Sequence, residues 1–248
     1  MFVRACIAVL VVITGVILAL AFVRDDGQLA LYAVPSAVLL AGALAFKPQL
    51  DWAYYKRFPA DLDEPLRRLF EARYPGWYQA MSGEERLAFR QNTALVRLGI
   101  DFKGQGFDGE SVPEDIAVVL ASQLTRLLPE GQHVLRPFET VVVYQHAFPS
   151  PQFPEHWHHS ELFEEDGVLL FDSEAALSGI LEPATHFNIA LYEWVRAAAI
   201  VGVRSVRDGA EGIAEARREW VTEAVGLPEE AIDWRAVAYA LTLDGVHA

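Results

Sequence analysis

Two runs without a single charged residue stand near the start of the chain, Ala5–Val23 and Leu29–Phe46, separated only by Arg24-Asp25-Asp26-Gly27-Gln28. At about 1.5 Å of rise per residue, a helix through either run crosses roughly 30 Å of hydrocarbon. Both runs are apolar on every side, whereas a helix lying on a globular core keeps a polar stripe. The expectation is a transmembrane helical hairpin over residues 1–46, with spans at 5–23 and 29–46. A cleaved signal peptide is the competing reading of the first run, with Arg4 as its basic end and Ala19 and Ala21 near a small-residue cleavage site. Against it, the run is long for that purpose and the second follows after five residues.

Basic residues near the span ends set the expected orientation. Arg4 precedes the first span, and Lys47, Lys56 and Arg57 follow the second, against Arg24 alone in the link. The positive-inside bias then places both termini in the cytoplasm, for a multi-pass protein of the cell (inner) membrane. Trp52, Tyr54 and Tyr55 fall where an interfacial aromatic belt would lie. Residues 47–62 read as a juxtamembrane connector, ended by the turn-prone Phe58-Pro59-Ala60-Asp61.

Everything after the connector reads as one water-soluble α+β domain, residues 63–248. The chain carries a formal charge of −14, and its acidic excess lies in this part, which disfavours nucleic acid and anionic lipid headgroups as partners. The one cysteine, Cys6, lies in the first span, so no intramolecular disulfide framework exists.

Periodicity and punctuation divide the domain. A helix is expected over Glu64–Arg73, broken by Tyr74-Pro75-Gly76-Trp77. Ser82 with Glu85 three residues on reads as a capping box for a helix to residue 99. Ile100–Gly106 is expected as an edge strand, and Pro113 opens a helix to Leu128. Thr140–Tyr144 and Val168–Phe171 are β-branched or apolar runs too short for helices, hence strands. A mostly apolar helix over Pro183–Val203 is expected at the centre of the domain, followed by shorter helices at Ile213–Val225 and Ala231–Leu243.

The order of these segments resembles the Mlc titration factor A type of zinc-dependent peptidase over roughly residues 74–248. The resemblance is carried by Tyr74-Pro75-Gly76-Trp77 before the Ser-Gly-Glu-Glu-Arg helix, the helix 114–128, the strands Thr140–Tyr144 and Leu169–Ser173, and the helix opening Asn188-Ile189-Ala190-Leu191. It implies a zincin-like domain with a small mixed sheet and a buried central helix. In that family the buried helix carries Asn-x-x-Leu-His-Glu-Phe-Ala-His, whose two histidines hold zinc while the glutamate polarises the metal-bound water.

This chain departs from the pattern where the chemistry lies. Tyr192 and Arg196 stand at the two histidine positions, and Glu193 alone is retained. Arginine, always protonated, is no ligand, and tyrosine is an uncommon one. The family's third ligand, a glutamate on a later helix, aligns with Ala240. The resemblance therefore implies a degenerate site of Tyr192, Glu193, Arg196 and Ala240, with no catalytic residue assigned and no metal held. On the helix, Glu193 and Arg196 are i, i+3 neighbours and read as a structural ion pair, the guanidinium standing where zinc would.

One tract offers substitute ligands. Pro154–Asp166 concentrates His156, His158, His159 and Glu161 with further carboxylates. Histidines two apart face the same way on a strand, so His156 and His158 are spaced to share a metal. The bland reading is a solvated loop between two strands. The expectation from all this is a membrane-anchored, non-catalytic pseudopeptidase that binds a protein or peptide at the cytoplasmic face. The resemblance adds a transcriptional regulator as a class of partner, because family members are linked to a glucose-responsive repressor. The alternative is an active zinc-dependent metallopeptidase with displaced ligands, zinc being its cofactor.

Overall fold

Apolar sequence and helix coincide through the first unit of the computed structural model, which describes residues 2–128, 132–203 and 215–246. Two compact units divide the chain, Met1–Pro59 and Ala60–Ala248. In the first, α1 (Phe2–Arg24) carries the whole of the first charge-free run without a break. The second run is parted at Tyr32 into α2 (Gly27–Leu31) and α3 (Ala33–Ala45). Pro35 accounts for the break: it has no N–H for the carbonyl of Leu31, and its ring crowds that carbonyl. Tyr32 instead turns its N–H to Leu29 O at 3.2 Å.

The link between α1 and α2 is a built turn. Asp25 adopts φ 48°, and Asp26 caps α2 by accepting the N–H groups of Gln28 and Leu29 at 2.9 and 3.3 Å. Val3–Arg24 and Gly27–Ala45 are each long and apolar enough to cross a membrane, and most of their large side chains are exposed. Between them Thr14 Oγ1 donates to Ser36 Oγ at 2.9 Å. The segment expected as a connector is itself largely helical, α4 (Lys47–Arg57), opened by Pro48 and supported by the Lys47–Asp51 ion pair and by Lys56 over the Trp52 ring.

The second unit is α+β with a small mixed sheet. Helices α5 (Glu64–Arg73), α6 (Gly76–Gln79) and α7 (Gly83–Gly99) come first. The short α6 stands where the sequence suggested only a break. The capping box at the start of α7 is present as expected, Glu85 N–H to Ser82 Oγ at 3.2 Å and Ser82 N–H to Glu85 Oε2 at 2.8 Å. Strand β1 (Asp101–Gln105), helix α8 (Glu114–Leu127), then β2 (Thr140–Tyr144), β3 (Ser160–Phe163) and β4 (Val168–Asp172) follow. The sheet order is β1-β2-β4-β3, with β1 and β4 parallel to β2 and β3 antiparallel to β4. As expected, β1 is an edge strand. The β3–β4 hairpin was not expected as such, although Asp166-Gly167 marks its turn and Gly167 takes φ 62°.

The last helices are α9 (Ser173–Leu181), α10 (Ile189–Ile200), α11 (Glu215–Val225) and α12 (Trp234–Asp244). Helix α10 is central and buried as expected, but it begins six residues later than Pro183. Asn188 decides that start, its Oδ1 accepting the Leu191 N–H at 3.0 Å while its amide donates to Gln123 Oε1 at 3.1 Å. Helix α12 likewise starts at the Asp233 cap rather than at Ala231, which lies in a 3-10 turn, Glu229–Ala231. Of the expected start of α11, residues 213 and 214 fall outside the described residues. Around α10 the core gathers Trp194, Tyr78, Phe70, Phe138, Phe171 and Leu120, all fully buried.

Candidate functional site

Burial of α10 on almost every side forces any polar group on it to find a partner within the protein. Glu193 is 0% exposed and both carboxylate oxygens are engaged. Oε1 accepts from Ser160 Oγ at 2.9 Å, and Oε2 from Arg196 Nη1 at 2.7 Å. The strand supplies Ser160 because side chains alternate along β3: Ser160 turns to α10, and Glu161 turns to Ser150 and His158. Desolvation by burial pushes the Glu193 carboxyl above its ordinary value, against the pull of Arg196 and Ser160, and nearby Glu161 adds to the push.

Arg196 is the other half of this arrangement. Burial works against its charge, but Glu193, Tyr192 and Asp233 around it prevail and hold the guanidinium protonated. Its carbon lies 5.4 Å from the centroid of the Tyr192 ring. Tyr192 is buried too, and burial, then Glu193, keep its hydroxyl above its ordinary value and hence neutral. That hydroxyl accepts the Asp233 N–H at 3.1 Å. Tyr192, Glu193 and Arg196 are thus brought together as the sequence placed them, and Glu193 pairs with Arg196 as read.

Ala240 is buried on α12, but the group that α12 turns toward Tyr192 and Arg196 is Asp233, seven residues earlier. Sequence reasoning missed both Asp233 and Ser160. The first was legible as an Asx cap before Trp234-Arg235-Ala236. The second was not legible, because nothing in Ser-Glu-Leu-Phe says which neighbour a buried serine will meet.

The tract with the histidines is a solvated loop only in part: residues 154–157 and 164–166 are exposed as expected, whereas His158 and residues 160–162 are buried. Phe148 and His158 exchange backbone hydrogen bonds at 3.0 and 3.1 Å, and Ser160–Phe163 is strand. His158 and Glu161 are buried while His156 is exposed, so His156 and His158 do not share one environment. Both nitrogens of His158 are taken, Nδ1 by the His156 carbonyl at 3.1 Å and Nε2 by Glu161 Oε2 at 3.0 Å. A carbonyl only accepts, so Nδ1 donates to it, and Nε2 faces the Glu161 carboxylate. Glu161 spends its other oxygen on Ser150 Oγ at 3.0 Å. His159 turns elsewhere, Nδ1 against Asp172 Oδ2 at 2.7 Å. Among the described residues, no group of three or more His, Cys, Asp or Glu stands close enough to hold a metal ion.

One glycine fixes how α10 meets these groups. A Cβ at Gly179 of α9 would stand 2.3 Å from Phe187 O and 2.7 Å from Asn188 Cα, so α9 packs directly on the backbone that opens α10. No family model, curated protein or solved structure matches the chain.

Proposed function

We propose that the chain is a membrane-anchored relative of the Mlc titration factor A type peptidases whose domain is non-catalytic and binds a protein or peptide at the cytoplasmic face of the cell membrane. The observation that carries this reading is the sealed Glu193. A zinc peptidase needs a carboxylate open to the metal-bound water and two imidazoles beside it. Here the carboxylate is wholly buried with both oxygens occupied, and its neighbours are a neutral phenol tied to Asp233 and a guanidinium. The mixed sheet with a buried α10 beside it supports a zincin-like arrangement, and the two apolar N-terminal helices support the anchor.

The test uses the full chain in lipid nanodiscs, dialysed against zinc and then against zinc-free buffer. The expected result is substoichiometric zinc by mass spectrometry of the metal and no cleavage of a casein substrate. Stoichiometric zinc with cleavage abolished by Glu193→Gln would establish the alternative, an active zinc-dependent metallopeptidase. Orientation is read separately. In a Cys6→Ser background, a cysteine at Gln28 should react with an impermeant maleimide from outside intact cells and one at Glu155 should not; the reverse pattern sinks the cytoplasmic placement.

A further inference from the structure

A second place in the domain, apart from Glu193, has the build of a ligand site. His159 is fixed from three directions: its N–H donates to Val225 O at 3.0 Å, its carbonyl accepts from Asp172 N at 2.8 Å, and its Nδ1 meets Asp172 Oδ2 at 2.7 Å. Asp172 itself is immobilised, because its other oxygen accepts the Glu174 and Ala175 N–H groups at the start of α9 at 2.9 and 3.4 Å. An acceptor-only carboxylate requires the imidazole proton on Nδ1, which leaves Nε2, an acceptor in the neutral ring, without a partner among the described residues. Preorganisation of this kind, a buried carboxylate holding a half-exposed imidazole, is what supporting groups do for a binding or reacting side chain.

His159 lines a cavity of about 310 Å³ between α9, α11 and the turn before α10. That volume is at the lower end of the roughly 300–1,000 Å³ of small-molecule sites. Its inner wall is apolar and aromatic, from Phe187, Ile189 and Trp220, with the Phe187 and Trp220 rings edge to face at 5.8 Å. Its polar rim is His159, Thr185, His186 and Glu223. Thr185 Oγ1 already lies 3.2 Å from Glu182 O and 2.9 Å from His186 Nδ1. What the rim offers a ligand is therefore weighted toward acceptors, His159 Nε2 and a Glu223 carboxylate that has no ion-pair or hydrogen-bond partner among the described residues. Arg217 lays its guanidinium 4.9 Å from the Trp220 ring centroid, so that ring already has its cation and offers a ligand apolar surface rather than a cation site.

We propose that this cavity binds a primary ammonium compound with an apolar body, the ammonium donating to His159 Nε2 and Glu223 and the body resting on Phe187, Ile189 and Trp220. An ammonium has three donors and no acceptor, which complements such a rim; a carboxylate ligand would meet Glu223 as a like charge. The inference is independent of what Glu193 does. The ammonium has two sources, a small free amine or the N-terminus of a peptide, and both present the same chemistry.

Calorimetric titration of the full chain in nanodiscs decides it, with phenethylamine as probe and 2-phenylethanol and 3-phenylpropionate as isosteric controls. Phenethylamine should bind saturably and both controls should not. Glu223→Gln, an exposed position, should weaken phenethylamine by about tenfold, as loss of a charge-assisted hydrogen bond predicts, with the melting temperature unchanged. A Phe-Ala-Ala peptide with a free N-terminus binding more tightly than phenethylamine, its acetylated form not binding, would assign the peptide source; phenethylamine binding alone would assign the free amine. Absence of saturable phenethylamine binding, equal binding of the alcohol, or undiminished binding by Glu223→Gln would overturn the proposal.

Discussion

The hydroxyl of Tyr192 accepts the backbone N–H of Asp233 at 3.1 Å, so a side chain from the middle of α10 completes the opening turn of α12. At a position where the resemblance calls for a zinc-binding imidazole, the chain has placed a brace between two helices. Tyr192 thus makes a tertiary contact between the two helices, and that contact can be tested by mutation.

Tyr192→Phe keeps the ring and deletes the brace. Leaving the part-buried Asp233 N–H without its acceptor should lower stability by about 0.5–1.5 kcal/mol, the usual worth of one such bond. Denaturant titration of the full chain in micelles measures it, and a loss of nothing would show that water replaces the hydroxyl at no cost.

Arg196→Met removes one member of a largely buried ion pair while retaining the apolar stem. Uncompensated buried charges cost about 3–5 kcal/mol, and because Arg196 is 24% exposed the low end, roughly 3 kcal/mol, is expected. A variant more stable than the parent that also takes up zinc would show that the guanidinium does not stand in for a metal.

Glu193→Gln tests the electrostatics through pH. Burial raises the folded-state value of Glu193 above its ordinary 4.5, so the carboxyl contributes most to stability below that pH, and the contribution fades as pH rises through the folded value. Glutamine cannot ionise and has no such fade. The stability difference between parent and variant should therefore shrink from pH 4.5 upward, as read from paired denaturation curves; a difference that grows with pH would mean Arg196 outweighs burial.

Asp61 gives the opposite sign. Arg90 Nε and Nη2 grip its two oxygens at 2.7 and 2.8 Å, and against the push of desolvation these bonds hold Asp61 below its ordinary 3.8. Its contribution is present above 3.8 and is lost as pH falls through the folded value. Asp61→Asn should destabilise the domain by about 1.5–3 kcal/mol at pH 7, the range for bonds to charged groups, and progressively less below pH 3.8. Equal destabilisation at both ends of that range would assign the effect to shape rather than charge.

Much of the architecture was legible because local chemistry and tertiary outcome agree. The charge-free runs became α1 and the α2–α3 pair, the capping box became the start of α7, and the β-branched run became β2. Periodicity ran the start of α10 back to Pro183, whereas the local Asn188 cap on the Leu191 N–H sets it. Illegible parts are those where a distant partner decides. Periodicity could not show that Glu161, an acid in a run of acids, would be buried by pairing with His158 and Ser150. The pairing of Glu193 with Arg196 was legible in their spacing on one helix, whereas their tertiary neighbours Ser160 and Asp233 were missed.

Gly179 bears on where α10 begins. Since α9 rests on the backbone of Phe187 and Asn188 with no room for a methyl group, the height at which α10 begins is gauged by that contact. A side chain there would collide with Phe187 O and Asn188 Cα, so α9 or the Asn188 cap would have to shift. Where the cap shifts, the hydrogen bond of Ser160 to Glu193 would be mistuned by a residue that touches neither, and position 179 acts as the alignment screw of a site it does not belong to.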